Sequence, residues 1–174
     1  LVGAEMWIRD RVEYEGDYYF NPGLPEVREY IVRGAEELAR KYDIDGIHLD
    51  DYFYPGSGFA DGAAYAKYGK GFSNIGDWRR DNVNQLVKTL GERIHAIDPG
   101  LSYGISPSGV WADKSSLPQG SNTTGGYESY YASYADSRKW VKEGWIDYIC
   151  PQIYWYIGHK SICLLYTSPS PRDR

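Results

Sequence analysis

The chain has 174 residues with 19 Lys and Arg against 24 Asp and Glu, a formal net charge of −5, and 16% aromatic residues. That length suits one domain but falls short of the roughly 250 residues of a complete β/α barrel. The mild acidity and the absence of a basic patch argue against nucleic acid as a partner. No run approaches the roughly 18 consecutive apolar residues of a membrane span.

The first residues, Leu1 to Ala4, carry no initiator Met and no signal peptide, so the start reads as the middle of a longer protein. Residues 6–17 have no clear period and are expected to be loop, with a short strand near Met6. Tyr18-Tyr19-Phe20 is a strand candidate stopped by Asn21-Pro22-Gly23. Pro25 suits a first helical turn, and Glu26 and Glu29 suit the positive end of a helix. Val27, Tyr30, Ile31, Ala35, Leu38, Ala39 and Tyr42 recur at helical spacing, which predicts an amphipathic helix over 25–42.

A strand over 44–50 follows and ends in two carboxylates and a run of aromatics, Asp50-Asp51-Tyr52-Phe53-Tyr54-Pro55. Side chains alternate along a strand, so Ile47 and Leu49 face one way while His48 and Asp50 face the other. In a β/α barrel, acidic residues at the C-terminal end of a strand lie on the catalytic face. Residues 54–76 form a long glycine-rich segment, and such segments in compact domains are usually functional or disordered. Asp77 is placed to cap a helix whose apolar face is Val83, Leu86, Val87, Leu90, Ile94 and Ile97.

Pro99-Gly100 ends that helix, and residues 101–106 form the next strand, leading into Pro107-Ser108-Gly109-Val110-Trp111. A polar loop over 112–127 precedes a helix over about 130–143, with Gly144 as its C-terminal cap. The last strand, 146–153, runs into Tyr154-Trp155-Tyr156. Strand alternating with helix is the pattern of parallel βαβ units. The expected fold class is α/β: a partial TIM (β/α)8 barrel of four strands and three helices over residues 1–162, incomplete at both ends. Such a piece exposes sheet edges and apolar helix faces, so it is expected to aggregate alone.

Residues 163–174 break this pattern and resemble an in-frame translation of sequencing-adapter DNA, so they are expected to be a non-native tail. The tail carries Arg172, Asp173 and Arg174, and without it the formal charge moves from −5 to −6. It also holds Cys163, which leaves Cys150 as the remaining cysteine and excludes an intrachain disulfide or a cysteine zinc site.

Several motifs in one order carry a resemblance: Asn21-Pro22-Gly23, Pro25-Glu26-Val27-Arg28, Asp45-Gly46-Ile47-His48-Leu49-Asp50-Asp51-Tyr52-Phe53-Tyr54-Pro55, Trp78-Arg79-Arg80-Asp81-Asn82-Val83, Gly104-Ile105-Ser106-Pro107-Ser108-Gly109 and Pro151-Gln152-Ile153-Tyr154-Trp155. The chain resembles the glycosyl-hydrolase-like family 10 proteins from about residue 21 to 158. The resemblance implies a TIM barrel in bacterial secreted, periplasmic or lipid-anchored hydrolases, some acting on peptidoglycan glycan strands. It implies no cofactor.

Glycoside hydrolysis needs two carboxyl groups flanking the bond, about 5 Å apart for retention and roughly 6.5–9.5 Å for inversion. Asp50 is the preferred nucleophile or charge stabiliser and Asp51 the alternative acid, although adjacent strand residues diverge. The second carboxylate is otherwise Asp61, Asp113 or a residue of strands outside the chain. The competing reading of Asp50-Asp51 is a turn or capping pair.

His48 shares the face of Asp50 and is expected to orient it or bind substrate; a satisfied interior histidine is the alternative. Tyr52, Tyr54, Trp111, Tyr154 and Trp155 are candidates to stack on sugar faces, against ordinary rim packing. Asn21, Ser106 and Gln152 suit sugar hydroxyls and equally suit loop backbone. One His beside two carboxylates is a weak ligand pattern, so no metal is assigned. The expected activity is cleavage of a glycan, with cell-wall polysaccharide leading; the alternatives are a non-catalytic carbohydrate-binding barrel and a metal-dependent hydrolase or deacetylase.

Overall fold

The structure is a computed structural model and describes residues 10–50, 53–156, 159 and 161–162. The strand expected near Met6, the residues Asp51 and Tyr52, and the tail over 163–174 lie outside the described residues. Strands β1 (Arg11–Tyr14) and β2 (Asp17–Phe20) pair antiparallel as a hairpin. Helix α1 (Pro25–Lys41) leads to β3 (Gly46–Asp50), then α2 (Gly62–Tyr68), α3 (Ile75–Ile97) and β4 (Ser102–Ser106). Two short helices, α4 (Ser129–Ala132) and α5 (Ser137–Lys142), precede β5 (Tyr148–Ile149). The parallel sheet has the order β3-β4-β5, with His48 opposite Gly104 and Gly104 opposite Tyr148.

Among the described residues the parallel sheet therefore has three strands rather than four. Tyr18-Tyr19-Phe20 does form a strand, but it pairs with β1 in a separate two-stranded sheet. The cause is the Glu15-Gly16 connection, whose φ values of 53° and 90° turn the chain straight back.

α1 begins at Pro25, as its fixed φ suits. Its inward stripe is Val27, Ile31, Val32, Ala35 and Ala39, whereas Tyr30, Leu38 and Tyr42 of the expected stripe are exposed. The N-cap of α3 lies three residues before the expected one: it is Asn74, and its Oδ1 accepts from the Asp77 N–H at 2.9 Å. Asp77 stands three positions on, and its carboxylate accepts from Asn74 Nδ2 at 2.7 Å, which holds the capping side chain in place.

The core lies between the helices and one face of the sheet. Val83, Leu86, Val87, Leu90 and Ile94 of α3 pack with Tyr103 and Ile105 of β4, and Ile47 and Leu49 of β3 close against them. Leu90 is fully buried, and emptying such a site to Ala costs about 2–5 kcal/mol. Arg93 forks onto Glu36 at 2.8 and 2.7 Å and so ties α3 to α1.

The long segment after β3 is ordered rather than slack. Arg79 of α3 is buried and grips Asp61 at 3.0 and 2.5 Å, while donating to the carbonyls of Ser57 and Phe59 at 3.0 and 2.7 Å. It also donates to the Tyr134 hydroxyl at 2.9 Å. The single helix expected over 130–143 is two, because Tyr134 adopts φ 58° and breaks it. That left-handed residue puts its ring against Tyr54 and Arg79. Gly144 does close α5: its N–H bonds Val141 O and the Trp145 N–H bonds Trp140 O, a Schellman pattern with Gly144 at φ 65°.

Candidate functional site

Strand alternation sets the site. Ile47 and Leu49 turn into the core, so His48 and Asp50 project from the opposite, open face of β3. On β4 the same alternation buries Tyr103 and Ile105 and leaves Ser102, Gly104 and Ser106 on the open face. Gly104 has a specific task there. A Cβ at that position would run into the ring of Tyr148, which lies across β4 from β5. With no side chain at Gly104, the Tyr148 ring reaches β3 and stacks on His48, centroids 5.6 Å apart and planes 15° from parallel.

His48 is consequently held at both ring nitrogens. Nδ1 is 3.0 Å from the Tyr148 hydroxyl and Nε2 is 2.5 Å from Ser106 Oγ. Donor and acceptor roles exchange with the tautomer: one ring nitrogen donates while the other accepts. The three side chains form one polar row across β3, β4 and β5.

Asp50 stands at the C-terminal end of β3, where its Oδ1 accepts from the Gln152 side-chain amide. The same amide nitrogen donates to Ser106 O at 2.9 Å, and Gln152 Oε1 accepts from the Tyr154 hydroxyl at 3.2 Å. Its backbone is fixed as well: the Gln152 N–H donates to Pro107 O and its carbonyl accepts from Gly109 N–H, at 2.8 and 3.0 Å. A side chain anchored at this many points holds the carboxylate rather than merely touching it. The structure thus brings Asp50, His48, Ser106, Gln152 and Tyr154 into one connected cluster and adds Tyr148, which sequence reasoning missed.

Two cavities flank the Asp50–Gln152 pair. One, of about 360 Å³, has Gln152, Ser108, Tyr154 and Trp155 on the sheet side and Tyr14, Glu15 and Tyr19 on the hairpin side, with Pro55 and Tyr127 at its edges. The other, of about 340 Å³, has Asp50 and Phe53 on one side, Tyr18, Tyr19 and Phe20 of the hairpin and Pro22 on another, and the core-packed Ile31, Leu49 and Leu86 on the third. Tyr19 is a wall of both. The β1–β2 hairpin therefore builds the groove beside Asp50 instead of adding a strand to the parallel sheet.

The remaining expected site residues are placed differently. Tyr54, expected as a rim ring, is 0% exposed and packed edge-on to Phe59 and Tyr134, so both its faces are covered by protein. Burial pushes its hydroxyl pKa well above the ordinary tyrosine value. Trp111 lies between the Tyr130 ring at 5.0 Å and the Arg138 guanidinium at 4.8 Å. Asn21 is buried and its Oδ1 accepts from Gly23 N–H at 2.9 Å, an Asx turn that shapes the Asn-Pro-Gly corner. Trp155 and the 87%-exposed Tyr154 do line the groove.

Asp61 and Asp113, the expected partners for Asp50 within the chain, are engaged in structure. Asp61 is paired with Arg79, and Asp113 accepts from the Thr123 hydroxyl and from Gly125 N–H. Among the described residues, no three His, Cys, Asp or Glu side chains converge as a metal set. Among the same residues, no helix is long and apolar enough to cross a membrane.

The family described as glycosyl hydrolase-like 10 matches residues 4–164. The chain is 55% identical over 150 residues to the glycosyl hydrolase YngK of Bacillus subtilis (strain 168), an overlap of 83% of this chain and 29% of that protein. It is 45% identical over 151 residues to the glycosyl hydrolase DigH of Escherichia coli (strain K12), covering 84% of this chain and 34% of that protein. The chain thus spans about a third of the length of these relatives.

Proposed function

Since the chain belongs to the glycosyl hydrolase-like 10 family, we propose that it is a stretch of a glycoside hydrolase, with bacterial cell-wall peptidoglycan as the leading glycan. The observation that carries this reading is Asp50, held by Gln152 at the C-terminal end of a parallel strand beside a groove walled by tyrosines and a tryptophan. The parallel strands with helices packed on one face suit a (β/α)8 barrel as the complete fold, and strand ends of that fold are where its catalytic groups stand. Two relatives named glycosyl hydrolases support the same class of reaction. A secreted, periplasmic or lipid-anchored location goes with a cell-wall substrate.

In this mechanism Tyr14, Tyr19, Tyr154 and Trp155 receive sugar rings, whose axial C–H faces pack on aromatic faces while ring hydroxyls bond the polar edges. Gln152 and the His48–Ser106–Tyr148 row take hydroxyls at the reacting sugar. Asp50 faces the anomeric carbon, where positive charge grows as the bond opens, and acts as nucleophile or charge stabiliser. Asp51 keeps its place as a candidate acid. The chemistry needs only carboxyl groups and water.

A carbohydrate-binding barrel without catalysis is the second reading, favoured by the structural engagement of both Asp61 and Asp113. The two part on one experiment: the complete protein incubated with purified peptidoglycan glycan strands, with products analysed by mass spectrometry. New reducing ends establish the hydrolase. Retention of intact strands on the protein, with no new ends, establishes the binder.

A further inference from the structure

Among the described residues lining the 360 Å³ cavity, Glu15 is the one carboxylate, and it comes from the hairpin tip rather than from a parallel strand. Gln152 lines that cavity too and donates to Asp50. One amide therefore links the cavity that Glu15 lines to the carboxylate at the end of β3. The donor side of Gln152 is turned to Asp50, so it holds that carboxyl as an acceptor.

The backbone of Glu15 is a second, independent observation. Residues 15 and 16 form the whole connection between β1 and β2, with φ of 53° and 90°. Positive φ at both positions is the pattern of a type I′ turn, which selects Asn, Asp or Gly at its first position. Gly16 fits that demand and Glu15 does not: the left-handed conformation brings a Cβ too close to the following carbonyl oxygen. The turn would be more stable with asparagine. Residues kept in sparsely populated conformations concentrate at functional sites, and this one borders the groove.

We propose that Glu15 is the second carboxylate of the site and protonates the glycosidic oxygen of a glycan lying in the aromatic groove; this rests on the glycosidase reading above. As the bond between C1 and the glycosidic oxygen breaks, its electron pair stays on that oxygen, which takes the proton of the Glu15 carboxyl. Asp50 faces the positive charge left at C1. Water then gives its hydroxyl to C1 and its proton to Glu15, restoring the acid. One water is consumed, and one glycosidic bond becomes a hemiacetal and an alcohol.

The test uses the complete protein carrying Glu15→Gln, Glu15→Asn or Asp50→Asn, assayed on peptidoglycan glycan strands and on a nitrophenyl glycoside of the sugar it cleaves. A nitrophenolate leaves without help from an acid, whereas a sugar alkoxide does not. Glu15→Gln is expected to lose about a hundredfold or more on glycan strands and less than about tenfold on the nitrophenyl glycoside. Glu15→Asn is expected to raise the melting temperature while losing glycan cleavage to the same extent, which a role in the turn alone would not produce. Glycan cleavage kept at the parent level by both Glu15 variants, with Asp50→Asn inactive, overturns the proposal and leaves the glycosidase reading standing. Equal losses on the two substrates also overturn it, since they mean a groove-wall contact. No cleavage by the parent overturns both readings.

Discussion

Tyr148 lies flat against His48, with 5.6 Å between ring centroids and 3.0 Å from its hydroxyl to Nδ1, although the two residues are on strands separated by β4. Gly104 is what permits it. Adding a methyl there puts a Cβ into the Tyr148 ring, and overpacking of this kind costs about 1–3 kcal/mol. Gly104→Ala is therefore expected to destabilise the complete protein by that amount and to release His48 from Tyr148. In a Tyr148→Ala background the same change is expected to cost less than about 0.5 kcal/mol, because the clash partner is gone. Denaturant unfolding of the four proteins in this cycle gives the coupling directly. Equal costs in both backgrounds would mean that Gly104 is not needed for Tyr148.

The loop after β3 depends on one buried ion pair. Arg79 and Asp61 have side chains only 3% and 0% exposed. Removing one partner strands the other charge in the interior, at a cost of about 3–5 kcal/mol. Asp61→Asn is expected to lower stability by that amount and to make residues 55–61 the first site of limited proteolysis. A loss comparable to that of a surface substitution would show that the loop is held by other contacts.

Acid stability has an identifiable contributor on the helix side. Hydrogen bonds from Arg93 hold the Glu36 carboxyl below its usual 4.5. A depressed folded-state pKa stabilises the fold above the unfolded value and loses that contribution as pH falls through the folded one. Asp77, held down by its bond from Arg80, acts with the same sign. The melting temperature of the parent is expected to fall as pH drops below about 4.5. Glu36→Gln is expected to be less stable at neutral pH and to lose less on acidification, so that the two melting curves converge at low pH. Parallel curves across the range would remove Glu36 from the acid response.

These contacts also mark what the sequence could and could not convey. α1 and α3 were legible because an apolar stripe at helical spacing has to face a core: Val83, Leu86, Val87, Leu90 and Ile94 all do. The alternation in β3 placed His48 and Asp50 on one face for the same reason. Tyr54 misled, because an aromatic just past a strand end looks the same whether it lines a rim or folds back; Phe59, Tyr134 and Arg79, distant in sequence, decide that it folds back. The hairpin was hidden by a Glu-Gly turn where Asn-Gly would have announced it, and that substitution is also what draws attention to Glu15. α2 sits between glycines in a segment that reads as loop. Tyr148 could have been found only by pairing it across β4 with His48, a register that depends on how β5 docks.

Whether Asp50 takes part in bond cleavage is decided by comparing the complete protein with its Asp50→Asn variant on peptidoglycan glycan strands under single-turnover conditions, alongside a binding measurement. Asn keeps the shape and the bond from Gln152 while removing the charge. The expected result is a loss of about a hundredfold or more in cleavage rate with glycan binding retained. A variant that cleaves as fast as the parent would contradict a catalytic Asp50 and move the chemistry elsewhere in the protein.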